Sequence, residues 1–194
     1  MRRTDGFTLL ELLVAGTIFL LALAITYAVT AESTDTARVG TNAGTLEGDA
    51  ARALDRISQE LIAAGLETLE PEDPQGVSAL TFRKSVGAEG GTIRWGPRQS
   101  LALRARGPGR EVVWVRDVDA EPVQDVVLCG SVRPLAEGEL PNGADDNGND
   151  LVDEEGLSFE LSGRTLTIRL TLERRDRAVG MLSRTVSTSV RLRN

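Results

Sequence analysis

The feature that most constrains the chain is an unbroken apolar run over residues 7–29, introduced by Met1-Arg-Arg-Thr-Asp-Gly6. At ~1.5 Å of rise per residue, a helix of that length crosses a hydrocarbon layer ~30 Å thick. Arg2 and Arg3 stand before the run, and Glu32 and Asp35 follow it. This asymmetry predicts a cytoplasmic N-terminus and a body on the far side of the membrane. The one charged residue inside the run is Glu11. A carboxylate deep in a bilayer costs roughly 2.5–3.5 kcal/mol, so Glu11 is expected to have a partner.

An ordinary secretory signal or a plain membrane anchor is the competing reading. Such signals have a short apolar core of roughly 7–15 residues with small residues after it. Here the run is longer, contains a glutamate, and has Gly6 in front of it.

The segment Gly6-Phe7-Thr8-Leu9-Leu10-Glu11-Leu12-Leu13-Val14-Ala15 resembles the cleavage and methylation signature of type IV pilins and type II secretion pseudopilins. The resemblance implies that a prepilin peptidase cuts after Gly6 and methylates the new amine of Phe7. It implies that Glu11 recruits that amine from a neighbouring subunit. The partners it implies are other pilin or pseudopilin subunits, the peptidase and an inner-membrane assembly platform. The implied fold is a long N-terminal helix laid on an antiparallel β-sheet. Leu54-Asp-Arg-Ile-Ser-Gln-Glu-Leu61 and the ending Ser187-Thr-Ser-Val-Arg-Leu-Arg-Asn194 are similar to minor pseudopilin J and to the W-type minor pilins. A secretion pseudopilus and a type IV pilus both remain open. So does a membrane-tethered, calcium-stabilised binding module outside any filament.

Past the run, apolar residues at Val39, Ala43, Leu46, Ala50, Leu54, Ile57, Leu61 and Ala64 alternate in steps of three and four. That is the stripe of an amphipathic helix. The helix is expected to stop near Gly65, because Pro71 and Pro74 forbid its return. Gly40, Gly44 and Gly48 fall on one face of it. They suit close approach of another backbone, local softness, or a merely solvated face.

Beyond an acidic, proline-bounded stretch the period changes to two. Strands are expected over 80–83, 92–95, 101–106, 111–116, 125–129, 157–161 and 166–173, with a final strand through Leu182, Val186, Val190 and Leu192. Ser162-Gly163 predicts a tight hairpin. The organisation is thus a leader (1–6), a membrane and assembly helix (7–29), its amphipathic continuation (30–65), a linker (66–76) and a β-rich domain (77–194), an α+β fold.

Composition removes several functions. The 194 residues carry a net charge of −7 and no histidine, which excludes histidine-based triads, zinc sites that use histidine, and a generally basic nucleic-acid surface. Aromatics are 4%, too few for base stacking. No nucleophile–base motif is present, so an enzyme is not expected. Cys129 is the sole cysteine. It precludes an intrachain disulfide and is expected to be a packing thiol.

One stretch has metal chemistry in it: Asp145-Asp-Asn-Gly-Asn-Asp-Leu-Val-Asp-Glu-Glu-Gly156. Calcium takes six to eight oxygens, and alternate residues of a tight loop supply them. An EF-hand-like frame begun at Asp145 offers Asp145, Asn147, Asn149, the Leu151 carbonyl and Asp153, with Glu154 or Glu155 closing the set. The stretch also looks like calcium loops of exported bacterial proteins. Two departures stand out: Asp150 where that frame wants glycine, and Gly156 where it wants a bidentate glutamate. The plain alternative is a solvated acidic turn.

Overall fold

The structure is a computed structural model describing residues 8–107 and 109–193. Its first element is the helix α1 (Leu9–Leu61). By compactness the chain divides into Met1–Thr41 and Asn42–Asn194. In the first unit the apolar side chains face outward, from Leu9 at 84% exposure to Tyr27 at 78%. Thr17, Thr26 and Thr30 each donate a hydroxyl to the carbonyl four residues back, at 2.8 Å. A hydroxyl satisfied by its own helix can sit among apolar neighbours without another partner.

In the second unit the helical stripe does what its spacing predicts. Leu46, Ala50, Ala53, Leu54, Ile57, Leu61 and Ala64 are buried, and Ala43 packs against them. Facing them are Leu80, Phe82, Leu101, Val112, Trp114, Phe159, Ile168, Leu170 and Leu172. Burying each large apolar side chain contributes ~1.5–3 kcal/mol, so this helix–sheet contact is a major source of the unit's stability. α1 ends at Leu61, and the chain then docks on the sheet. The N–H of Ser85 donates to the Ala63 carbonyl (3.2 Å), and the N–H of Gly65 to that of Arg83 (3.2 Å). Gly65 is required there by contact: a Cβ on it would lie 2.2 Å from the Trp95 ring.

Among the described residues eight strands make one antiparallel sheet: β1 (Gln75–Val77), β2 (Ala79–Glu89), β3 (Thr92–Arg106), β4 (Gly109–Val115), β5 (Asp125–Val132), β6 (Leu157–Ser162), β7 (Thr165–Asp176) and β8 (Gly180–Arg191). The order is β1-β6-β7-β5-β4-β3-β2, with β8 on β7 as well. β6 to β8 follow the alternation seen in the sequence, and Ser162↔Thr165 closes the expected hairpin. Leu166, Ile168, Leu170 and Leu172 are all buried. β5 meets β7 only at Val132↔Leu172, where the sheet curls.

Two local readings differ from the expectation. The strands expected over 92–95 and 101–106 are one, because β3 runs through Gly96-Pro97. The β2–β3 register shifts between Arg83↔Arg98 and Ser85↔Trp95, and the β3–β4 ladder begins only at Ser100. Pro97 therefore sits at an irregularity where its missing N–H breaks no ladder. The stretch 66–76 also carries structure: a 3-10 turn (Leu66–Thr68) and the start of β1, with Leu69 buried.

Candidate functional site

Gly6 and Phe7, the expected cleavage and methylation positions, lie outside the described residues. The expected assembly residue, Glu11, is described, and its setting is specific. The N–H of Glu11 donates to Thr8 Oγ1 at 3.2 Å. In return the Thr8 N–H and hydroxyl donate to Glu11 Oε2 at 2.9 and 3.0 Å. This is a capping box: each residue satisfies a main-chain donor that the helix start leaves open. The signal was in the sequence as Thr8-Leu-Leu-Glu11, three residues apart, immediately before the apolar periodicity. Glu11 is thereby held at the head of an exposed apolar helix with its carboxylate oriented by its own chain. α1 is long and apolar enough to cross a membrane.

The acidic loop lies between β5 and β6, and the structure separates its expected ligands. Asp145 turns inward on its own backbone. Oδ1 accepts the N–H of Gly148 (2.6 Å) and Asn149 (3.2 Å), and Oδ2 that of Asp150 (2.8 Å). Burial raises its titration, but these N–H groups, with that of Asn147, outweigh the burial and hold the carboxyl below its usual range. Asp153 accepts the N–H of Asn142 and Gly143 at 3.2 and 2.9 Å. Leu151 packs against Gly76, while Val152 is 56% exposed. Glu155 pairs with Arg110 on β4.

Asn147 and Asn149 converge instead on Glu154. The Asn147 amide donates to Glu154 Oε1 at 3.0 Å, and Asn149 donates to the same oxygen. Asp150 sits at φ 66° and Asp153 at φ 50°. Asp150 thus adopts the left-handed conformation for which the EF-hand frame uses glycine, a region that aspartate tolerates better than most residues. Sequence reasoning missed Glu139. It is 1% exposed and accepts the N–H of Asn147 and of Asp153 at 3.1 and 3.2 Å, tying the loop's two ends together. Among the described residues no three acidic, histidine or cysteine side chains gather closely enough to hold a metal by themselves.

Residues 1–27 match the family model for the prokaryotic N-terminal methylation motif. The chain carries the type IV pilin and pseudopilin signature. No curated protein and no solved structure matches the chain. The signature is that of structural subunits that are processed by a prepilin peptidase and assemble with other pilins. With one apolar N-terminal helix it supports a single-pass membrane anchor.

In this pilin-like chain Cys129 is a packing thiol. It lies partly buried against the core, and burial pushes its titration up to about 11. It is therefore protonated near neutrality.

Proposed function

We propose that the chain is a minor pilin or pseudopilin, a structural subunit of a type II secretion pseudopilus or a type IV pilus. Its N-terminus is cytoplasmic, and its β-rich unit lies across the inner membrane. Prepilin peptidase cuts after Gly6 and methylates Phe7, and the apolar helices then bundle. The observation that carries this reading is the placement of Glu11. It sits within the matched motif, on an outward-facing apolar helix, with its carboxylate already oriented by Thr8. In a dry bundle such a carboxylate takes the Phe7 amine of the adjacent subunit, because an unpaired charge there is costly. The pair sets the register between neighbours.

Two measurements test it. The mature protein from membranes is expected to begin at methylated Phe7 by mass spectrometry. Glu11→Ala is expected to insert in the membrane at wild-type level yet disappear from sheared filament fractions. A mature product that begins at Met1, or normal incorporation of Glu11→Ala, overturns the assignment.

A further inference from the structure

Glu154 is 3% exposed, and its Oε2 is buried without a hydrogen-bond partner. Both amide donors that reach the side chain go to the other oxygen, Oε1. A second buried carboxylate, Glu139, is bound through the main chain of the same Asn147 whose side chain holds Glu154. Among the described residues no lysine or arginine pairs with either acid. Two carboxylates out of water, with no cation and one oxygen unsatisfied, are unfavourable as they stand. The neighbouring donors are amide and carboxylate oxygens, with no histidine in the chain and its one cysteine on β5. That donor set selects a hard divalent ion, and its irregular geometry suits calcium better than octahedral magnesium.

We propose that the 139–154 loop binds one calcium ion at the free Oε2 of Glu154. Glu139 supplies the second negative charge, and Asn147 is the neutral ligand. Asn147 is exposed, so its amide can turn to present oxygen where it now presents nitrogen. Asn149 stays as it is, because its own oxygen accepts the Leu151 N–H at 2.9 Å and its nitrogen braces Glu154 Oε1. The ion neutralises the buried pair and locks the loop between β5 and β6. This site is independent of the filament reading: calcium binding and filament incorporation are measured separately, and either can fail alone.

The test uses the full chain in detergent, freed of metal with chelator and titrated with calcium-45 by equilibrium dialysis. One saturable site per chain is expected, with Kd on the order of 10⁻⁴–10⁻³ M. Calcium at tenfold Kd is expected to raise Tm by about 3–6 °C, and equimolar magnesium by much less. Glu154→Gln is expected to lose binding yet, in calcium-free buffer, to melt at or above wild type, because it removes the buried charge. Asn147→Ala is expected to weaken binding about tenfold, and Glu155→Gln to leave it unchanged. Absence of saturable binding by wild type overturns the proposal, as does wild-type affinity in Glu154→Gln. Should Glu154→Gln fail to fold, unchanged affinity in Asn147→Ala overturns the ligand assignment.

Discussion

Gly156 passes so close to Arg133 that a Cβ on it would lie 2.1 Å from the Arg133 carbonyl oxygen. The position is further fixed by its own carbonyl, which accepts the Thr171 N–H at 2.6 Å. This contact accounts for glycine at the place where an EF-hand frame wants its closing glutamate: β6 starts there, against the chain leaving β5. Gly156→Ala must push backbone rather than a flexible side-chain end. It is expected to destabilise the second unit by about 1–3 kcal/mol, read from the denaturant midpoint of the purified full chain. An unchanged midpoint would show that the two segments are not so close.

Ile57 lies at 0% exposure in the middle of the helical stripe. Ile57→Ala is expected to cost about 2–5 kcal/mol and Ile57→Val about 0.5–1.5. Ile62, 56% exposed just past the helix end, is the control, and Ile62→Ala should stay within about 0.5 kcal/mol. Equal losses at the two sites, in urea unfolding followed by tryptophan fluorescence, would contradict the observed helix face.

Arg104 and Glu111 stand directly opposite one another on β3 and β4, and Arg104 Nη2 reaches Glu111 Oε1 at 2.7 Å. The hydrogen bond from Arg104, opposed by burial and aided by Arg106 at 3.1 Å, lowers the Glu111 titration below its ordinary 4.5. A carboxyl lowered in the folded state stabilises the fold above its unfolded value and loses that contribution as pH falls through the folded one. The stability gap between wild type and Glu111→Gln is therefore expected to be full near neutrality and to shrink on acidification below about pH 4.5. Melting curves from pH 7 to pH 2.5 check this, and a gap that widens in acid would reverse the sign.

Much of this architecture was legible in the sequence because one-sided burial imposes a period. Leu46 to Leu61 repeat every three or four residues and are buried on one face. Leu166 to Leu172 alternate and do the same on a strand.

What escaped the sequence depended on distant partners. Pro97 looks like a strand end until the β2–β3 register shift is known. Gln75–Val77 is too short for alternation to show. Glu139 stands outside the acidic run, separated from it by Leu140-Pro-Asn-Gly-Ala144, so nothing local marks it as a buried brace. The order of the loop's oxygens was also hidden. Spacing alone turns Asp145 toward an ion, whereas the folded loop turns it onto its own N–H groups and leaves Glu154 Oε2 open.

The reciprocal bond at the head of α1 gives Glu11 a way to wait. While a subunit of the proposed kind is solitary, its acid already grips a hydroxyl and a main-chain donor, and chance collisions between greasy rods offer nothing better. Only a donor that itself bears positive charge displaces such a grip. In the proposed assembly, the charged amine that cleavage would free at Phe7 is such a donor.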